Sequence, residues 1–238
     1  MSTALLVYGI VPAELEPRLD GIGDPPAPVR TVRHGAVAAL VSEVDDRPLG
    51  NPDDLRAYVR VVDGAAADGP VIPVRFGAAL RGREVVERTL LAPHAERLRA
   101  TLDELTGHAE YLLHGRYRAD GVRAEIVADE PVVREAADGE PSPGAPGATL
   151  AALAAMRRAD ADTALAALRP LAEQFVARKP TEESDAVDIA VLLARDRHDA
   201  LIEAARELAG EWADRVELTL AGPLAPWDFV TVDAGTTG

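Results

Sequence analysis

Val187-Asp188-Ile189-Ala190-Val191-Leu192-Leu193 is the stretch from which the second half of the chain can be read. Val187, Ile189, Val191 and Leu193 alternate with Asp188 and Ala190, the two-residue period of a strand. Upstream, Glu173 to Lys179 reads as another strand, and Thr149 to Leu168 as an Ala-rich helix carrying Leu150, Leu153, Leu165 and Leu168. Downstream, Asp196 stands where a helix cap belongs. His198, Leu201, Ile202, Ala205 and Leu208 then share one helical face. Arg215 to Ala221 alternates polar and apolar again. Helix–strand–strand–helix–strand predicts an α+β sandwich close to ferredoxin-like order.

This half is set off by Asp138-Gly139-Glu140-Pro141-Ser142-Pro143-Gly144-Ala145-Pro146-Gly147. Three prolines and three glycines in ten residues cannot sustain a helix or a central strand. The segment reads as a linker, with a long surface loop as the alternative. The expected domains are therefore 1–137, a mixed α+β domain, and 148–233, the ferredoxin-like domain with a Trp/Phe-containing tail. Residues 138–147 link them, and 234–238 form a disordered tail.

In the first half, Ala4 to Val11 reads as a buried strand. Gly21-Ile22-Gly23-Asp24-Pro25-Pro26 is a loop; it has two glycines, but the third glycine and the helix of a phosphate loop are missing. Val29 to Arg33, the turn His34-Gly35 and Ala36 to Val44 read as a hairpin. Asn51-Pro52-Asp53-Asp54 is a helix start, with a capping Asn, Pro at the first position and acids facing the helix dipole. Leu55, Tyr58, Val59 and Val62 follow at i, i+3, i+4 and i+7, predicting the face that packs on the sheet. Val71 to Gly77 is a strand whose Pro73 demotes it to an edge. Helix is expected from Gly82 to Leu105, broken at Pro93, then a strand over 109–118 and a helix over 122–137, kinked at Pro131.

Composition excludes several function classes. The chain has 238 residues, 47% hydrophobic and 27% charged, enough to bury a core. Forty acidic residues against 25 basic ones leave a net charge of −15. That argues against nucleic-acid binding, which needs clustered cations, and against an anionic membrane surface. There is no cysteine, so disulfides, thiolate nucleophiles and Cys-based metal centres are excluded. The start Met1-Ser2-Thr3 lacks the basic region of an export signal, and no stretch reaches about 18 uninterrupted apolar residues, so the expected location is cytoplasmic.

The residues assemble no familiar catalytic set. Ser2, Ser42, Ser142 and Ser184 are the only serines, and none lies in a Gly-x-Ser-x-Gly elbow. The one lysine, Lys179, is outside any phosphate-loop motif. His108 and His114 share a strand face without an evident third metal ligand, while His34, His94 and His198 stand apart. The acidic pairs Asp45-Asp46, Asp53-Asp54, Asp160 with Asp162, and Glu182-Glu183 read as solvated surface in so acidic a chain. No catalytic, cofactor or metal residue is assigned.

Four segments in order carry a resemblance: Leu6-Val7-Tyr8-Gly9-Ile10-Val11; Val71-Ile72-Pro73-Val74-Arg75-Phe76-Gly77; the Arg83-Glu84-Val85-Val86 helix start; and Ala221-Gly222-Pro223-Leu224-Ala225-Pro226-Trp227-Asp228-Phe229-Val230. With them, from about residue 4 to 232, the chain resembles the GvpF/GvpL family of gas vesicle synthesis proteins. The resemblance implies two α+β domains, the second a modified ferredoxin-like fold. It implies a cytoplasmic or vesicle-associated accessory protein of gas vesicle assembly that is not an enzyme and needs no cofactor. Its implied partners are the hydrophobic major shell protein, held back from aggregation before the wall nucleates, and other gas vesicle accessory proteins.

The motif positions to locate are Tyr8, Gly9, Pro73, Arg75, Phe76, Gly77, Gly222, Pro223, Pro226, Trp227 and Phe229. Arg75 is expected to pair with an acid, Phe76 to fill core and Gly77 to permit a turn. Pro223, Pro226, Trp227 and Phe229 are expected to form an extended segment laying aromatic rings over the C-terminal sheet or a domain interface. A holding partner must offer an apolar patch or a strand edge, which places the shell contact on the N-terminal domain at the Pro73 edge. The residues also leave open a small-molecule regulatory module and an enzyme built from converging carboxylates.

Overall fold

The computed structural model describes residues 4–16, 18–44 and 49–233, so the readings of Asp45-Asp46 and of the 234–238 tail lie outside the described residues. The chain forms two compact units. One comprises the described residues up to Glu110 together with those from Pro223 onward; the other runs from Tyr111 to Gly222.

The first unit is built on β1 (Ala4–Pro12), β2 (Arg30–His34) and β3 (Val37–Val44). The β2–β3 hairpin pairs antiparallel to β1, from Pro12 opposite Val37 to Ala4 opposite Val44. β1 is central, and Leu6 to Val11 are buried on both faces. Helix α1 (Pro52–Asp68) starts as read: the Asn51 side chain accepts from the Asp54 amide at 2.7 Å, and Pro52 opens the first turn. Its contact face differs from the expected one. Ala57, Tyr58, Val61, Val62, Ala65 and Ala66 are buried, whereas Leu55 and Val59 are 49% and 37% exposed. The alanines leave room for the helix to approach closely, so small residues rather than the branched ones at 55 and 59 face the sheet.

The short β4 (Ile72–Pro73) and β5 (Ala79–Leu80) also pair with β1. From α2 (Arg83–Val86) the helical stretch passes through a wide turn over Glu87–Leu91 and a tight one around Pro93. It continues as α3 (Ala95–Leu105), which buries Leu98, Leu102 and Leu105.

The second unit runs β6 (His108–Tyr117), α4 (Ala119–Asp129), α5 (Pro131–Ala137), α6 (Ala145–Leu168), β7 (Gln174–Ala177), β8 (Asp185–Ala194), α7 (His198–Glu211) and β9 (Val216–Leu224). The sheet order is β7-β8-β6-β9. Numbered within the unit that is 2-3-1-4, the ferredoxin-like order, with three helices in the first crossover instead of one. The Pro/Gly segment 138–147 lies inside this crossover, between α5 and α6, and its last three residues are already helical. The two units divide at 110/111, where the sequence reading put the boundary at 138–147. The first strand of the second sheet is β6, on the other side of the prolines. Asp196 sits inside a tight turn over Arg195–Arg197 and does not cap α7, which has no side-chain cap.

Candidate functional site

The motif residues of the first and second segments converge on one aromatic cluster in the first unit. At Tyr8 the β1–β3 register shifts, between Val7 and Gly9, so β1 bulges there. The freed Tyr8 carbonyl accepts from the Tyr58 hydroxyl and the Val74 amide, each at 3.0 Å. The Tyr8 hydroxyl shares a hydrogen bond with Ser42 Oγ at 2.7 Å and accepts from the Ile22 amide at 2.9 Å. Gly9 follows because the backbone of β4 passes close: a Cβ there would lie 3.1 Å from the Ile72 carbonyl oxygen.

Tyr58, on the buried face of α1, is the hub. Its ring stacks on Tyr8 at 5.5 Å, takes Phe76 edge-on at 5.1 Å and meets Trp227 at 5.9 Å. Phe76 is half-buried against this core, and Gly77 turns the chain at φ 92°, in the region that favours glycine. Burial pushes the Tyr8 phenol above its ordinary range, with the Ser42 and Ile22 hydrogen bonds opposing it. Tyr58 is pushed up further, by burial first and by the neighbouring Tyr8 second. Both stay neutral at physiological pH, able to donate and accept hydrogen bonds but not to act as bases.

The last motif segment closes over this cluster. Asp63 Oδ1 accepts from the Ala225 amide at 3.0 Å and from Trp227 Nε1 at 2.9 Å. Pro226 is buried, and its carbonyl accepts from the Phe229 and Val230 amides, so 226–230 is a turn and not the expected extended segment. The Asp228 amide donates to Oε2 of the buried Glu110 at 2.9 Å. Val232 bridges Val74 in parallel, donating to Pro73 O and accepting from Arg75 N, each at 3.0 Å. Arg75 pairs with Asp233 at 2.8 Å, both exposed.

Pro73 sits on the terminal strand of its sheet, as its missing N–H requires, but that edge is occupied by Val232. The Trp227 ring, expected over the C-terminal sheet or a domain interface, packs on the first unit's core beside Tyr58 of α1. Gly222 and Pro223 stay apart from the cluster, exposed at the end of β9.

Tyr58, Asp63, Ser42 and Glu110 were missed as site residues. Asp63 had a signal: it is the lone carboxylate in the Val61–Ala67 run of α1, which is otherwise valine, glycine and alanine.

The acidic pairs are dispersed. Asp53 pairs with Arg56 at the surface, and Asp54 lies in the first turn of α1. Glu182 pairs with Arg116. Asp160 is buried in the second unit, gripped by Arg215 through both oxygens at 2.5 and 2.6 Å and by the Tyr117 hydroxyl at 2.7 Å. Asp185 is wrapped by the Thr181 and Glu182 amides, and these bonds hold its carboxyl below the ordinary carboxylate range. Among the described residues no group of three or more His, Cys, Asp or Glu could hold a metal ion.

Comparison with known proteins gives a consistent result. The family model described as gas vesicle synthesis protein GvpL/GvpF matches residues 4–231. Gas vesicle protein F of a Streptomyces species is 32% identical over 240 residues, covering 94% of this chain and 98% of that one. Gas vesicle protein F of Haloferax mediterranei is 24% identical, covering 99% and 97%. The crystal structure of gas vesicle protein GvpF from an Anabaena species matches with a TM-score of 0.84 at 19% identity, over 97% of this chain and 99% of that one. That of GvpF from Microcystis aeruginosa matches at 0.77 and 17%, over 95% and 98%. At these identities the two crystal structures show the shared fold.

Proposed function

The chain belongs to the GvpL/GvpF family of gas vesicle synthesis proteins, and from that premise we propose a non-enzymatic role in vesicle assembly. It binds the hydrophobic major shell protein in the cytoplasm and keeps it from aggregating while the vesicle nucleates. The observation that carries this reading is the family match, which extends from residue 4 to 231. Charge supports it, since a net −15 keeps a complex with an apolar client dispersed. Among the described residues, no helix is long and apolar enough to cross a membrane.

The shell contact is placed on the first unit. With the β4 edge taken by Val232, the large exposed apolar side chains of this unit, among the described residues, are Leu55 and Val59, one helical turn apart on the outer stripe of α1. Other gas vesicle accessory proteins are its further partners.

The test is co-expression of the full chain with the major shell protein, followed by pull-down and a solubility assay. The shell protein is expected to co-purify and to stay soluble only when the chain is present. A shell protein that neither binds nor changes in solubility overturns direct holding. Leu55→Glu with Val59→Glu should remove binding without unfolding the chain; full binding by that variant overturns the placement.

A further inference from the structure

We propose that β9 pairs with β9 of a second copy of this chain across a twofold axis, joining two four-stranded sheets edge to edge. An open sheet edge is a template for another strand, so a folded chain must block or cover each of its edges. In the first sheet the β4 edge carries Val232, and on β2 the Thr31 carbonyl accepts from Arg83 Nη2 at 2.9 Å. In the second sheet β7 has four residues and runs straight into Arg178-Lys179-Pro180, a cationic and proline guard. β9 has nine residues and ends the sheet, and Glu217 is its one charge. Thr219 and Ala221 face outward and exposed, and no lysine, arginine or mid-strand proline blocks the stretch from Leu218 to Gly222.

The inner side of this edge is unfinished. Leu218 and Leu220 are only half-buried, and beside them lies a mainly apolar groove of about 390 Å³ walled by Tyr111, Leu113, Ile202 and Ala209, with His198 and Arg206 also lining it. Helix α7 buries Leu201, Ala205 and Leu208, while Ile202 and Ala209 stand toward the groove. A strand added to β9 would place alternate side chains, about 7 Å apart, alongside it.

The pattern of β9 fits its own copy. With antiparallel pairing centred on Leu220, Leu220 meets Leu220 of the second copy, Leu218 meets Gly222, and Thr219 meets Ala221. Glu217 meets the uncharged Pro223, so the lone carboxylate never faces its equivalent. Pairing stops at Pro223, which has no N–H to give. Because the interface is almost uncharged and each chain carries −15, the copies repel through the rest of their surfaces; screening that repulsion with salt strengthens the dimer.

Sedimentation velocity on the full chain tests this, from about 1 to about 100 µM, at low salt and at roughly 0.5 M NaCl. A monomer–dimer equilibrium that tightens with salt is expected. Thr219→Lys with Ala221→Lys sets ammonium groups opposite each other on the exposed face, and should weaken the dimer about tenfold or more. Thr219→Lys with Ala221→Glu sets opposite charges across the same positions and should restore it. A chain that stays monomeric at high salt and the highest concentration overturns the proposal. So does a dimer indifferent to both double variants, and so does protection of the β9 amides from exchange only when shell protein is bound.

Discussion

Replacing Trp227 by Phe, and separately Asp63 by Ala, tests whether the carboxyl-terminal segment is held by one carboxylate. Trp227 Nε1 donates to Asp63 Oδ1 at 2.9 Å, a charge-assisted bond in a half-buried place. Trp227→Phe removes the donor and keeps an aromatic ring beside Tyr58, now at 5.9 Å. The lost bond and the lost part of the indole together should cost about 2 kcal/mol. Asp63→Ala takes the same bond and also strands the amide of Ala225, a fully buried residue whose 3.0 Å partner is that oxygen. An unsatisfied buried donor adds roughly 1–3 kcal/mol, so this variant should lose about 3 kcal/mol or more. Because both changes delete one shared bond, the double variant should lose less than the sum of the two, by about 1 kcal/mol. Urea unfolding followed by circular dichroism reads all three, and the larger loss should lower Tm by roughly 10 °C. Additive losses would show that the indole and the carboxylate do not interact. An Asp63→Ala variant no weaker than Trp227→Phe would show that the Ala225 amide does not depend on Asp63.

In the second unit, Arg215→Met should destabilise by about 3–5 kcal/mol, because the Asp160 side chain, 3% exposed, would keep its charge without its bidentate partner. A loss below about 1 kcal/mol in urea unfolding would refute the buried pair as a structural element. Gly121→Ala should destabilise although it lies in α4, where alanine is favoured by about 1 kcal/mol. The new methyl would run into the Asp214 carbonyl and sit 2.9 Å from Arg215 Cα, backbone that cannot step aside, and a gain in Tm would refute that approach. All four tyrosines are shifted above their ordinary range by burial first. A folded value above the unfolded one means the unfolded chain releases phenolic protons first, so stability should fall as pH rises above about 10. Phenolate absorbance should then appear together with unfolding. Phenolate appearing near pH 10 with the circular dichroism unchanged would refute the burial assignment.

What the residues disclosed on their own was whatever is decided locally. The β2–β3 hairpin, β1 and the Asn51-Pro52 start of α1 depend on a two-residue period or on a cap closed within four positions, and all three appear where they were read. The face of α1 was misread because periodicity weighs Leu55 and Val59 above alanine, while close packing against a sheet rewards the small residue. The aromatic cluster shows the limit more sharply. Tyr8 and Phe76 could be picked from motifs, but their common partner Tyr58 is identified only by which helix face turns inward. Trp227 and Asp63 meet across 164 positions of chain, a separation on which no local pattern bears. The division into units fails for a related reason. Prolines and glycines at 138–147 mark where secondary structure must stop, and it does stop after Ala137, to resume with α6 at Ala145. A domain ends where contacts stop, and those continue across this segment, because α6 and β8 must be reached from β6 for the second sheet to place β6 between β8 and β9. A break in hydrogen-bonded structure and a break in packing are separate physical events, and a single sequence displays only the first.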